Sequence, residues 1–262
     1  MRLAVAATGQ FGASILREVA ARRPVEYLLT RPDRPKGRGR QLAAPAAKEA
    51  AAELGIAVQQ PERLGGLPLD ADAVLLVDYG ALIPSELLEQ ALWLNVHPSL
   101  LPRWRGAAPV ERALMAGDTE TGVSVIRLVE ELDAGPVGAA ESFPIGPDED
   151  AGAVYDRAAQ IAPGLVEEVL DDQGFRAQEG ETTYAEKIGA EDRLLDWSRS
   201  PRELHDRIRA LSPHIGARGQ LHDRPVIVWR SRLGADGLEV LEVQPEGGRR
   251  MTLAEFERGI RR

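Results

Sequence analysis

Short apolar runs that alternate with helical stretches dominate the first part of this chain. The runs Leu3–Ala7, 25–30 and Ala73–Val77 predict buried strands, and the stretches 13–21 and 45–54 between them predict helices. Strands that alternate with helices in this way are typical of a mostly parallel sheet covered by helices. A glycine-containing turn joins the first strand to the first helix, so the chain is expected to open as a Rossmann-like α/β fold.

That turn, residues 8–12, does not carry the full glycine fingerprint of dinucleotide-binding proteins. Gly9 and Gly12 form a Gly-x-x-Gly arrangement, whereas the fingerprint is Gly-x-Gly-x-x-Gly. A dehydrogenase of the short-chain type would also need a tyrosine followed four residues later by a lysine. Tyr155 and Tyr184 are followed at that spacing by alanine and isoleucine, so a dehydrogenase is disfavoured.

The stretch 95–109 places polar residues at the end of a predicted strand. Asn95 and His97 are two positions apart, so their side chains project from the same face of that strand. Prolines then interrupt regular structure, and a new helix is expected to open at residues 107–109. An amide and an imidazole at the carboxyl end of a buried strand can stabilise a developing oxyanion. The plainer interpretation is a strand end whose polar side chains only cap the next helix.

The whole stretch is more specific than either residue. Its sequence, Asn-Val-His-Pro-Ser-Leu-Leu-Pro-Arg-Trp-Arg-Gly-Ala-Ala-Pro, closely resembles the signature of the folate-dependent formyltransferase family, in particular of members that act on methionyl-tRNA. The resemblance implies that Asn95 and His97 stabilise a tetrahedral oxyanion. It also implies a catalytic Asp133, in a Leu-Asp-x-Gly-Pro turn, that orients His97 and assists proton movement. In isolation such an aspartate commonly caps the backbone only. We expect the three side chains to cluster at the carboxyl edge of one parallel sheet.

A second segment, residues 78–84, follows the strand Ala73–Val77. It resembles the family's Ala-Tyr-Gly-x-Ile-Leu-Pro segment, whose backbone lines the pterin pocket of the folate. The resemblance implies 10-formyltetrahydrofolate as co-substrate and no metal. Asp78 stands where the family usually has alanine, and Ala7-Thr-Gly stands where it usually has Gly-Thr-Pro. The expected folate contacts are Tyr79, Gly80, Ile83, Ser99, Leu100, Leu101 and Pro102.

The loop 31–40 reverses the charge balance of the chain. It carries five basic residues and one acid, although the net charge of the whole chain is −9. A phosphate-bearing partner would explain this local excess, and a solvated surface loop is the plainer alternative. The family's members that act on methionyl-tRNA have a similar insertion, which contacts the acceptor arm. The resemblance therefore implies an initiator methionyl-tRNA partner, with contacts from Arg34, Lys36, Arg38, Arg40, Arg103 and Arg105.

The remainder of the chain predicts the end of one domain and a second, smaller one. Strands at 121–129 and 137–143 and a helix at 150–170 would complete a domain spanning 1–175, and 176–199 would be a linker. Residues 200–262 would contain the helix Pro201–Leu211, strands Ala217–Leu221, 226–230 and 238–243, and a last helix at 253–259. This resembles the family's OB-like β-barrel with strands missing after Arg232, which implies a truncated barrel.

Formyl transfer from 10-formyltetrahydrofolate to the amino group of initiator methionyl-tRNA is therefore the expected function. The alternative acceptors are an amino-sugar nucleotide, glycinamide ribonucleotide or another small amine. A non-catalytic RNA-binding module is disfavoured because Asn95, His97 and Asp133 are all present. The chain has no cysteine, which excludes disulfides and cysteine nucleophiles and suits a reducing cytoplasm. No apolar run reaches membrane length, and a monomer is expected.

Overall fold

The computed structural model describes residues 1–36 and 41–260 of the chain. These residues form two compact units, each assembled from separate stretches. The first unit comprises Met1–Arg105, Gly122–Ser142 and Asp156–Thr183. The second comprises Gly106–Thr121, Phe143–Tyr155 and Tyr184–Arg262. The domain limits expected from the sequence, 1–175, 176–199 and 200–262, remain a prediction.

The helices and strands alternate through the first part of the chain, and strands dominate its end. The strands are β1 (Leu3–Ala7), β2 (Tyr27–Leu29), β3 (Arg34–Lys36), β4 (Gln41–Ala43), β5 (Ala57–Gln59), β6 (Ala73–Val77), β7 (Leu92–His97), β8 (Arg105–Gly106), β9 (Glu120–Arg127), β10 (Val137–Pro144), β11 (Tyr184–Ala185), β12 (Ala217–Leu221), β13 (Arg224–Gly234), β14 (Gly237–Pro245) and β15 (Met251–Thr252). The helices are α1 (Gln10–Ala20), α2 (Ala46–Leu54), α3 (Ser85–Leu88), α4 (Pro109–Met115), α5 (Ala151–Asp171), α6 (Pro201–Leu211) and α7 (Leu253–Ile260), with a 3₁₀ turn at Glu191–Arg193.

A seven-stranded sheet in the order β10-β9-β7-β6-β1-β2-β5 forms the centre of the fold. Strands β1, β2, β5, β6 and β7 pair in parallel, and β9 runs antiparallel to β7. The predicted mostly parallel sheet with flanking helices is therefore confirmed. Strand β1, in the interior of the sheet, is buried along its whole length, as expected for a parallel strand covered on both faces.

Helix α1 buries one face, with Ile15, Leu16 and Val19 fully enclosed. This 3–4 spacing is the amphipathic pattern that predicted the helix, and each such side chain contributes about 1.5–3 kcal/mol on burial. The sequence also predicts a helix at 87–92, before the strand that carries Asn95, and this prediction is wrong. Only the single turn α3 forms there, because Leu92 already pairs with Ala73 at the start of β7.

The sequence predicts that the basic stretch 31–40 is a loop without regular structure. This prediction is wrong for residues 34–36, which form β3 and pair with β4 in an antiparallel hairpin. Arg34 lies opposite Ala43. Pro35 is tolerated because a two-stranded ribbon leaves one side of each strand unpaired. At the base of this hairpin, Asp33 accepts hydrogen bonds from Gln60 Nε2 and Lys48 Nζ, both at 2.8 Å. These contacts, that of Gln60 foremost, lower the pKa of Asp33.

The second unit contains an antiparallel sheet in the order β12-β13-β14-β15. Strands β13 and β14 are longer than predicted because a two-residue turn after Gly234 joins them directly. Helix α6 begins at a capping box formed by Ser200 and Glu203 and packs with this sheet. The core contains Ile208 from the helix and Val228 from the sheet, both fully buried. A small antiparallel strand domain at the end of the chain is thereby confirmed.

None of the helices in the described part of the chain has both the length and the apolar character that crossing a membrane requires.

Candidate active site

Three buried polar side chains meet in the first unit. Asn95 and His97 project from the same face of β7, and the exposed fractions of Asn95, His97 and Asp133 are 6%, 4% and 6%. Asn95 Nδ2 donates a hydrogen bond to Asp133 Oδ1 at 3.0 Å. His97 Nδ1 lies 3.6 Å from Asp133 Oδ2. The predicted clustering is therefore confirmed, while the catalytic roles of these residues remain a prediction.

The strand that precedes Asp133 runs in the opposite direction to the one expected. Strand β9 is antiparallel to β7, with Ser124 opposite His97 and Arg127 opposite Leu94. The carboxyl end of β9 therefore lies beside the start of β7, not beside its end. The prediction that Asp133 reaches the site from the carboxyl end of a strand parallel to β7 is wrong. The connection between β9 and β10 brings Asp133 to Asn95 with a left-handed backbone, φ 51°. A non-glycine residue held there costs about 1–2 kcal/mol, so the connection needs outside support.

The backbone of Trp104 fixes the imidazole of His97. The distance from His97 Nε2 to the carbonyl oxygen of Trp104 is 2.8 Å. A carbonyl oxygen only accepts hydrogen bonds, so Nε2 must carry the hydrogen. The nitrogen that faces the Asp133 carboxylate is consequently Nδ1. Trp104 is itself left-handed, φ 64°, and its N–H donates to Thr183 Oγ1 at 2.9 Å.

Part of the predicted folate segment is held by serine hydroxyls. Ser99 is fully buried and its Oγ donates to the carbonyl of Arg103 at 2.7 Å. Ser124 Oγ donates to the carbonyl of Ser99 at 2.8 Å and accepts from the N–H of Leu101 at 3.2 Å. Pro102 is buried, and Leu100 and Leu101 are half-buried. Ser124 was not among the predicted site residues, since nothing in its strand pattern indicates a contact with this loop.

The other predicted folate segment follows β6. The ring of Tyr79 is 1% exposed and packs in a core cluster with Trp93. Burial raises the pKa of Tyr79. The backbone of residues 78–80, rather than the tyrosine ring, is thus the part available to a ligand. Gly80 has φ 76° and Ile83 is half-buried.

Gln178 connects two parts of the site, and it was not predicted because it lies in the stretch 176–199, which the sequence indicates to be a linker. Its Nε2 donates to the carbonyl oxygens of Asp133 at 2.7 Å and Gly135 at 2.8 Å. Its Oε1 accepts from Arg105 Nε at 3.1 Å and Nη2 at 2.7 Å. A single amide therefore ties the connection that carries Asp133 to the loop after β7.

The six predicted tRNA contacts have different surroundings. The guanidinium of Arg103 stacks on the Trp104 ring, with 4.6 Å between its carbon and the ring centroid. That of Arg105 is engaged with Gln178 and lies 3.3 Å from Glu131. Arg34 is exposed on β3, and Lys36 ends that strand. Arg38 and Arg40 lie outside the described residues.

Across residues 1–36 and 41–260, no group of three or more histidine, aspartate or glutamate side chains is arranged to hold a metal ion.

Comparison with known proteins gives matches along both units. Residues 1–170 match the model of the formyl transferase family, and residues 187–237 match that of the formyl transferase C-terminal domain. A methionyl-tRNA formyltransferase of Paracoccus denitrificans is 39% identical, over 99% of this chain and 98% of its own length. One of Neisseria meningitidis serogroup B is 36% identical, over 99% of this chain and 97% of its own. The latter alignment spans 301 positions, so the 262-residue chain carries deletions relative to it.

Solved structures agree with this fold. A methionyl-tRNA formyltransferase from Clostridium thermocellum superposes with a TM-score of 0.67 at 16% identity, covering 94% of this chain and 98% of its own. An N-formyltransferase from Helicobacter canadensis, solved with folinic acid and dTDP-3-aminofucose, gives a TM-score of 0.66 at 15% identity, covering 89% and 88%. The fold is thus shared by formyltransferases of different names, while both of the nearly full-length sequence relatives above are methionyl-tRNA formyltransferases. The chain belongs to the formyl transferase family.

Proposed function

We propose that this chain transfers a formyl group from 10-formyltetrahydrofolate to the amino group of initiator methionyl-tRNA. The observation that carries the proposal is the buried contact of Asp133 with Asn95 and His97. It occurs in a chain whose relatives at 36% and 39% identity over nearly full length are methionyl-tRNA formyltransferases.

Attack of the methionyl amine on the formyl carbon forms a C–N bond and leaves negative charge on the formyl oxygen. One hydrogen of the Asn95 amide is used by Asp133. Among the described residues we find no acceptor for the second, which can be donated to the oxyanion. The buried position of Asn95 strengthens this hydrogen bond, because little water competes for it.

The proton of the attacking amine must finally reach N10 of the folate, as the bond from the formyl carbon to N10 breaks. His97 Nε2 is held by the Trp104 carbonyl, so proton exchange with Asp133 passes through Nδ1. Asn95 binds the carboxylate of Asp133 and Gln178 binds its backbone carbonyl, and together they hold Asp133 Oδ2 at 3.6 Å from Nδ1. Asp133 therefore orients the ring and assists this proton transfer.

A direct assay of acceptors tests the proposal. Purified protein is supplied with 10-formyltetrahydrofolate and either charged initiator tRNA or a dTDP-amino sugar, and the formylated product is measured. We expect formyl-methionyl-tRNA and no turnover of the sugar nucleotide above the background of a heat-inactivated sample. Turnover of the sugar with no product on tRNA would replace the proposed acceptor by the alternative one.

The hairpin of β3 and β4 is the proposed site of phosphate contact. Replacing Arg38 and Arg40 with alanine should raise KM for tRNA and reduce the salt dependence of binding by about one unit of logarithmic slope per lost contact. KM for the folate should not change. The double variant R17A/R22A, with Arg17 on α1 and Arg22 just after its end, removes the same charge elsewhere and serves as the control. Equal salt slopes for both double variants would mean that the hairpin is solvated surface.

A cytoplasmic location is part of this proposal, supported by the proposed role in translation and by the lack of cysteine in the sequence. A monomeric state remains a prediction.

A further inference from the structure

Asp78 makes an unusual set of contacts at the end of β6. Its Oδ1 accepts hydrogen bonds from the backbone N–H groups of Gly9 at 3.0 Å and Thr8 at 3.3 Å. Its Oδ2 accepts from the N–H of Gly12 at 3.3 Å. The hydroxyl of Thr8 also donates to the carbonyl of Tyr79 at 2.9 Å. We call these residues, Thr8, Gly9, Gly12, Asp78 and Tyr79, the Asp78 cluster.

The contacts place a carboxylate at the N-terminus of α1. This helix has no side-chain cap and no acidic residue in its first turn, so its first N–H groups need an acceptor from elsewhere. In Rossmann-like proteins that bind dinucleotides, a ligand phosphate takes this place. Here the chain supplies its own anion. A phosphate group is thereby excluded from this turn, which agrees with the incomplete glycine fingerprint.

Gly9 and Gly12 are required by this arrangement. A Cβ atom added at Gly9 would lie 2.4 Å from Asp78 Oδ2, and one at Gly12 would lie 2.5 Å from Oδ1. Real Cβ atoms do not approach other atoms so closely. A proline at position 9 would in addition remove an N–H donor. Gly9 and Asp78, which the sequence showed as two separate departures from the family pattern, therefore depend on each other.

The electrostatic surroundings and the backbone conformation of Asp78 indicate that its carboxylate holds the adjacent backbone in place. The residue is exposed, yet desolvation by the surrounding protein raises its pKa, against the opposing effect of the N–H groups of Gly9, Gly12 and Thr8. Its backbone is left-handed, φ 42°, and the next but one residue, Gly80, has φ 76°. A left-handed aspartate is strained, and the hydrogen bonds of its carboxylate offset that strain.

We propose that Asp78 is a positioning residue for the folate donor: its carboxylate binds the N-terminus of α1 and so holds the backbone of residues 78–80 in the shape that receives the pterin. This inference rests on the proposed function insofar as that function assigns the donor to this segment. It concerns binding of the donor alone and is independent of the acceptor.

The variant D78G tests the role directly. Glycine adopts φ 42° without strain, so the substitution removes the carboxylate and leaves a space with three N–H donors. We expect the Kd for 10-formyltetrahydrofolate, measured by calorimetry without acceptor, to rise about tenfold to a hundredfold. Added acetate, a free carboxylate of matching shape, should restore much of the affinity in D78G. Chloride at the same ionic strength, and acetate added to the unmodified protein, should have no such effect.

A second pair of variants tests the dependence between positions 9 and 78. G9P alone should weaken donor binding, because the ring collides with Asp78 and an N–H donor is lost. The double variant G9P/D78A, which restores the family's residues at both positions, should bind the donor more tightly than G9P. An unchanged Kd for D78G would overturn the proposal, as would a weakened affinity that acetate does not restore. Failure of tRNA formylation by the unmodified protein would refute the proposed acceptor while leaving these binding results intact.

Discussion

Replacement of Asp133 with asparagine is expected to lower kcat about 10²–10⁴-fold, with KM for 10-formyltetrahydrofolate changed by no more than about twofold. The asparagine can still accept the hydrogen bond from Asn95 Nδ2, so the buried contact and its volume are retained. It cannot take or return a proton beside His97 Nδ1. A loss confined to kcat would identify an interaction that matters mainly in the transition state.

The control is the neighbouring variant E131Q, which removes one carboxylate charge from the same connection. Glu131 has a side chain that is 72% exposed, and it lies near Arg105 rather than near the buried cluster. Its rate should remain close to that of the unmodified enzyme. N95A should lower kcat about 10²–10³-fold through loss of an oxyanion donor. A weakened donor affinity with unchanged turnover in D133N would contradict the assigned role.

The sequence contained most of the information for the elements that place Asn95 and His97. Strands β1 and β6 were predicted with the bounds observed, because their burial on both faces demands a continuous apolar run. The common face of Asn95 and His97 follows from the two-residue period of a strand. The errors at 87–92 and 31–40 arose where short apolar or proline-rich runs do not decide between helix, strand and loop.

The remainder of the site could not be predicted, since it depends on side chains that bind distant backbone groups. Gln178 is 45 residues from Asp133, and Thr183 is 79 residues from Trp104. Such contacts leave no periodic pattern and no bias in residue composition along the sequence. They can be identified only when the topology is known. For Asp133 the family motif indicated a residue that does lie beside Asn95 and His97, although the antiparallel direction of β9 was not anticipated.

The dependence of Gly9 and Asp78 on each other could not be predicted from the sequence either. Comparison with the family pattern indicated both positions as departures, and their separation of 69 residues gave no reason to connect them. The structure connects them through a hydrogen bond and through a space that no Cβ can enter. A departure from a family pattern is thus best interpreted after its spatial neighbours are known.

The second large effect is expected at Gln178, whose hydrogen bonds go to Arg105, Asp133 and Gly135, outside the segments predicted to bind folate. Replacement with alanine should lower kcat by up to about a hundredfold and leave KM for the donor unchanged. The reason is that Gln178 holds the carbonyls of Asp133 and Gly135, and Asp133 is kept in a left-handed conformation that it would leave without support. A carboxylate displaced by about 1 Å is poorly placed for proton transfer.

The variant Q178E separates this role from a simple anchoring of Arg105. A glutamate still accepts the hydrogen bonds from the Arg105 guanidinium, but it has no N–H to donate to the two carbonyl oxygens. If the catalytic contribution lies in the support of Asp133, Q178E should lose as much kcat as Q178A. If Gln178 only fixes Arg105, Q178E should retain normal turnover while Q178A loses it. Gln173, an exposed residue in the same segment, provides the matched alanine control, and its replacement should leave kcat unchanged.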